Sequence, residues 1–197
     1  MVVCSFILFL IVGLAAHPVL AVETITVAGG ETDPSQLQLE TTELQPLPVV
    51  QKSEYTLPYP GMLPDHPLYF LKRLRDTILE KLISDPMRKA EFYVLQSDKR
   101  LQMGVMLMNA GKGSLGESTI SKGEKYMEQA VSGLSLYKKS GGIIPLYVIE
   151  RLENATAKHQ EVISDLVGGA GEMEKSGLLG SLTLLKELIS SVGSLKQ

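Results

Sequence analysis

Residues 145–166 read Pro-Leu-Tyr-Val-Ile-Glu-Arg-Leu-Glu-Asn-Ala-Thr-Ala-Lys-His-Gln-Glu-Val-Ile-Ser-Asp-Leu. Ile149, Leu152, Thr156, His159, Ile163 and Leu166 recur in steps of three and four, which places them along one stripe of an α-helix. That spacing is the seam of a packed helix pair. Ser140-Gly141-Gly142 precedes the stretch and Gly168-Gly169 follows it, so both ends carry helix-stop signals. A helix with one apolar seam needs neighbours, and the flanking sequence supplies them.

Working back toward the N-terminus, Ser114-Leu-Gly-Glu117 has the spacing of a capping box, and Ile120, Met127, Ala130, Val131 and Leu134 form the stripe behind it. Asp85-Pro86 is a cap followed by a first-turn proline, predicting a helix that runs to about Ala110 with Gly111 as its C-cap. Pro67 starts a further helix in the same way, and Leu68, Leu71, Leu74, Ile78 and Leu82 give it a single apolar stripe that stops near Ser84. Toward the C-terminus, Leu178, Leu182, Leu185, Ile189 and Val192 predict a last amphipathic helix. Connections of two to seven residues favour antiparallel neighbours. The fold class expected is therefore all-α, an antiparallel four- or five-helix bundle.

Ahead of the helices, residues 55–67 hold a run of prolines and read as an extended strap. Tyr55, Tyr59, Tyr69 and Phe70 crowd within it and just behind it. Such a strap can plug the open end of a bundle with Tyr59 and Tyr69, or present a recognition surface. Residues 22–54 mix Thr, Glu, Gln, Gly and Pro without sustained periodicity and read as a disordered leader. Six acids and one lysine give that leader a balance of −5, while residues 55–197 carry 18 basic and 16 acidic residues. A near-neutral domain behind an acidic leader offers no overall electrostatic footprint for nucleic acid.

The first 21 residues read as a signal peptide. Cys4 to Ala16 is an apolar run of 13 residues, too short to span a bilayer comfortably, and Val19-Leu-Ala21 fits a cleavage site before Val22. Met1-Val2-Val3 carries no positive charge, which leaves an uncleaved anchor as the alternative. Cys4 is the chain's one cysteine, so cleavage would leave a mature protein without thiols or disulfides. The chain is thus expected outside the cytoplasm.

The segment Tyr55 to Asp76, YTLPYPGMLPDHPLYFLKRLRD, resembles the signature of a bacterial family of exported helical domains of unknown function, Y-x-L-P-Y-P-G-x-L-P-D-x-P-L-Y-F-L-K. The similarity continues through Asp85-Pro86, Ala90-Glu91, Ser97-Asp98-Lys99-Arg100-Leu101, Gly111-Lys112, Lys122-Gly-Glu-Lys-Tyr126 and Lys158-His159, covering roughly residues 55–167. The resemblance implies an extracytoplasmic, membrane-proximal helical module and no activity. Gly104 and Gly123 depart from it, standing where helix formers would be expected. Each costs about 1 kcal/mol of helix propensity relative to Ala.

Few residues suggest chemistry. Gly111-Lys-Gly-Ser-Leu-Gly116 matches a dinucleotide fingerprint in letters, yet no strand precedes it, so it reads as a helix-to-helix turn. Asn154-Ala-Thr156 is a glycosylation sequon in mid-helix, which we discount. Met103, Val105, Met106, Leu107 and Met108 make one helix apolar nearly all round, which fits burial better than a soft binding surface. His159 lacks a second histidine or a Glu-x-x-His partner at helical spacing, so it reads as a buried, hydrogen-bonded seam residue. Desolvation there lowers its pKa unless a carboxylate lies opposite, and His159→Leu is expected to be tolerated. The sequence sets no pair of carboxylates at a defined separation and pairs no serine with a base.

No catalytic, cofactor-binding or metal residue is therefore assigned and no cofactor is expected. The functional expectation is a non-catalytic structural or interaction module of the cell envelope, with an envelope protein as its possible partner. Two alternatives stand beside it. One is weak membrane-surface binding through the C-terminal amphipathic helix, over residues 168–197. The other is an enzyme working with carboxylates alone.

Overall fold

A computed structural model of the protein describes residues 54–197, which form five helices: α1 (Tyr69–Leu82), α2 (Pro86–Asn109), α3 (Gly113–Lys139), α4 (Leu146–Gly169) and α5 (Glu172–Ser194). The expected signal peptide and residues 22–53 of the leader lie outside the described residues. The fold is all-α, as the periodicities imply. No helix among the described residues is long and apolar enough to cross a membrane.

Helices α2 to α5 make the bundle. Asp85 caps α2, its carboxylate accepting from the Arg88 N–H at 2.8 Å, with Pro86 in the first turn. Gly111 ends the helix in the left-handed conformation (φ 74°), where a side chain would strain the backbone. The capping box expected for α3 does not form. That helix already starts at Gly113 behind Lys112, so Ser114 sits inside the first turn, where its hydroxyl cannot cap. Glu117 instead accepts from the Ser121 hydroxyl.

Close approach fixes the α2–α3 pair. A Cβ on Gly104 would lie 2.8 Å from the Gly116 carbonyl oxygen and collide with Ile120, and one on Gly123 would meet the Ser97 carbonyl at 3.2 Å. The two glycines that look costly for helix formation are what lets these backbones touch. The same contacts run α2 and α3 antiparallel. Ser121 lies beside Ser181 and Lys138 binds the Ser194 and Leu195 carbonyls, so α5 runs parallel to α3. His159 bonds Asp98 and Arg151 approaches Glu91, so α4 runs parallel to α2. Two helical hairpins thus stack side by side. Helices α3 and α4, although consecutive, are not principal neighbours and oppose each other across the core.

The α4 seam holds over Ile149, Leu152, Thr156, His159 and Ile163, which are buried, while Leu166 at its end is only partly buried. In α5 the buried set is Leu178, Ser181, Leu185, Leu188 and Val192, rotated from the expected stripe, and Ile189 faces outward. The apolar side of α5 is therefore spent on packing against α3 and α4. In the methionine-rich part of α2, Met103 and Leu107 are buried and Met106 is exposed.

The strap does not plug an end of the bundle. It lies along the middle, where residues 54–57 border a groove with Gln102 and Val105 of α2 and Lys158 and Val162 of α4. Tyr55 is anchored there, while Tyr59 is 81% exposed. The physical reason is an internal hydrogen-bond acceptor, Asp98, placed in mid-helix.

The larger correction concerns α1. Its apolar stripe is not packed: Leu71, Leu74, Ile78 and Leu82 are 50–71% exposed. At about 3.6 residues per turn, Tyr69, Lys72, Asp76 and Glu80 share the opposite side, and that polar side is the docked one. The Lys72 ammonium donates to the Pro60 carbonyl at 3.2 Å, and Glu80 accepts from the Tyr93 hydroxyl at 3.0 Å. Asp76 is the helix's only buried residue, holding Arg75 at 2.7 Å.

Candidate functional site

Three bundle helices each contribute one ionisable side chain to a single buried chain of hydrogen bonds. Asp98 follows Val94 and precedes Leu101 on the inner face of α2. Glu124 stands between Ile120 and Met127 on α3, and His159 between Thr156 and Ile163 on α4. The ring of His159 is completely buried. Its Nδ1 lies 2.8 Å from Glu124 Oε1 and its Nε2 lies 3.0 Å from Asp98 Oδ1. The second oxygen of Asp98 accepts the Tyr55 hydroxyl at 2.6 Å, which ties the strap to the cluster.

Burial alone would favour the neutral ring. The Glu124 charge and hydrogen bonds from the ring to Asp98 and Glu124 outweigh it and push the His159 pKa up to about 9. At neutral pH both ring nitrogens therefore carry protons and donate to a carboxylate. Burial and the bond to Asp98 hold the Tyr55 phenol well above its usual range. Glu124 Oε2 and Ser97 Oγ are buried without a hydrogen-bond partner among the described residues.

This constellation was only partly legible. His159 is buried on its seam as the spacing predicts, and the stated exception to a lowered pKa, a carboxylate opposite the ring, is met twice. The two carboxylates also give a physical reason to expect that His159→Leu is costly rather than tolerated. Asp98 and Glu124 went unassigned, although each interrupts an apolar seam, Val94-Asp98-Leu101 and Ile120-Glu124-Met127-Val131. The Ser97–Leu101, Lys122–Tyr126 and Lys158-His159 segments, noted separately, meet here.

Chemically, an imidazolium sealed between two carboxylates has no free lone pair to act as a base, and no route to a substrate atom is open at a fully buried ring. The two nitrogens engage different carboxylates, so the three side chains do not converge on one point. Among the described residues no group of His, Cys, Asp and Glu is placed to hold a metal ion.

The surface around α1 is of another kind. On one side a cleft of about 400 Å³ between α1, α2 and α3 is lined by Arg73, Arg100, Lys122, Lys125 and the rings of Tyr69 and Tyr126. The Arg100 guanidinium stacks 4.1 Å from the Tyr126 ring centre and donates to Gln96 Oε1 at 2.9 Å. On the other side a cleft of about 450 Å³ against the strap is lined by Tyr59, Met62, Leu68, Lys72, Arg75 and Lys99. No carboxylate lines either cleft. Burial lowers the Lys72 pKa to about 8, which leaves the ammonium charged at neutral pH.

Fold and site together define a class: a helical bundle stitched by a buried ionised triad, carrying an amphipathic helix docked by its polar side. The chain belongs to the family described as a domain of unknown function (DUF5667), whose pattern matches residues 61–170, more than half of the chain. The match begins inside the strap and ends before α5. No curated protein and no solved structure matches this chain.

Proposed function

We propose that this protein is an exported, non-catalytic interaction module of the cell envelope, working through the outward face of α1. The observation that carries this reading is the inverted docking of α1. Fully burying a leucine or isoleucine side chain is worth about 1.5–3 kcal/mol, and four such residues on one stripe are left at least half exposed. A partner that covers them gains energy that the bundle itself forgoes. The acid–base residues are spent inside as structural counter-ions, which argues against the alternative of a carboxylate enzyme. The α5 alternative is disfavoured because Leu178, Leu185, Leu188 and Val192 are buried in the bundle, which leaves Met173, Leu179 and Ile189 as its exposed apolar residues.

Export is supported by the apolar run Cys4 to Ala16 and the small-residue site at Val19-Leu-Ala21. N-terminal sequencing of the exported protein should begin at or near Val22. A chain that retains Cys4 in washed membranes would identify an anchor instead.

The α1 reading has a direct stability test. A Leu74→Ser/Ile78→Ser variant should melt close to wild type, within about 0.5 kcal/mol per substitution. A loss of about 2–5 kcal/mol for either residue would put the stripe inside a core and end the reading.

A further inference from the structure

We propose that the outward face of α1 seats on an anionic lipid bilayer, with headgroup phosphates taken by the two basic clefts that flank the helix. The proposal rests on the reading of α1 as the interaction face and names its partner. Leu71, Leu74, Ile78 and Leu82 form the ridge, and Phe70 and Tyr59, 59% and 81% exposed, add aromatic rings beside it.

Charge selects the occupant. Arg73 and Lys81 project from the exposed part of α1 and Arg75 stands beside them paired to the buried Asp76, while the helix's other acid, Glu80, is engaged by Tyr93. Beyond the ridge, Lys72, Arg75 and Lys99 line one cleft and Arg73, Arg100, Lys122 and Lys125 the other. Arg73, Lys122 and Lys125 make no ion pair or hydrogen bond among the described residues. A second copy of the chain laid on this face would bring like charges together. A bilayer of anionic lipid instead meets apolar side chains with acyl chains and cations with phosphates, the arrangement of an interfacial amphipathic helix. Long Arg and Lys stems beside a leucine ridge can lie along it and keep their charges at headgroup level.

The experiment is cosedimentation of the protein with phosphatidylcholine vesicles, with and without roughly a third of phosphatidylglycerol. Light scattering and melting curves are recorded on the same samples. Binding to the anionic vesicles, weakened by salt and absent on pure phosphatidylcholine, is expected. Leu74→Ser/Ile78→Ser and Lys122→Glu/Lys125→Glu should each reduce it about tenfold or more while melting as wild type. Binding that both variants retain arises elsewhere in the chain and overturns the proposal, as does equal binding to neutral vesicles. No vesicle binding, with dimers that the stripe variant disperses, would make a second copy the occupant. No vesicle binding by a monomer whose stripe variant melts normally would leave an interaction face for a protein. In both cases the lipid is wrong while the α1 reading survives. Only stripe variants that melt as core variants do would sink both.

Discussion

Asp98, Glu124 and His159 occupy seam positions that would ordinarily hold leucine or valine, one in each of α2, α3 and α4. Breaking a buried ion pair costs about 3–5 kcal/mol because it strands the remaining charge. His159→Leu strands two carboxylates at once. The substitution that the seam spacing alone would tolerate should therefore lower the unfolding free energy measured in urea by at least that much, and an unchanged midpoint would mean that the buried ring carries no charge. The pH dependence carries a definite sign. With the folded pKa raised to about 9 from an ordinary 6.5, the histidine's contribution is complete below about pH 6.5. It declines as the pH rises through 9, and its full size is on the order of 3 kcal/mol. Melting curves between pH 6 and 10 should show that loss in wild type and not in His159→Leu. The seam that carries His159 could be read from spacing because helical periodicity is local. Its partners could not be identified, since they lie 35 and 61 residues away and meet it only through tertiary packing.

Among the elements, the strap and α1 show where periodicity is silent. A stripe at helical spacing says that a helix is amphipathic, not which side the fold will cover. In α1 the polar side wins because Lys72 reaches the Pro60 carbonyl of the strap and Met103 of α2, and Glu80 accepts from Tyr93 of α2. The strap is held by one tyrosine rather than by its aromatics in general. Tyr55→Phe removes a donor from a buried carboxylate and should cost about 1–3 kcal/mol, whereas Tyr59→Ala should stay within about 0.5 kcal/mol. Equal effects in chemical denaturation would mean that the strap binds differently. Gly104→Ala tests the α2–α3 contact. Helix propensity favours alanine by about 1 kcal/mol, but the Gly116 carbonyl and Ile120 leave no room, so overpacking of about 1–3 kcal/mol should equal or exceed that gain. A clearly stabilised variant would show that the helices stand further apart.

On the scale of the whole molecule, the bundle extends past the family match. Helix α5 lies beyond residue 170 yet covers the apolar sides of α3 and α4, so a chain ended after Ala170 should lose cooperative thermal unfolding. The whole surface also ranks the available faces. Among the described residues, exposed apolar side chains occur on α1, around the α3–α4 turn at Leu136, Ile143, Leu146 and Tyr147, and on α5 at Met173, Leu179 and Ile189; of these faces, the α1 face is the one set between two clefts lined by cations without a carboxylate. Hydrogen–deuterium exchange of the protein with and without anionic vesicles separates these faces in one measurement. Vesicles should slow exchange in α1 and in the strap near residues 59–62, with α5 and the α3–α4 turn unchanged. Protection that appears in α5 or in residues 136–147 while α1 exchanges as before would contradict the seating of α1 on the bilayer.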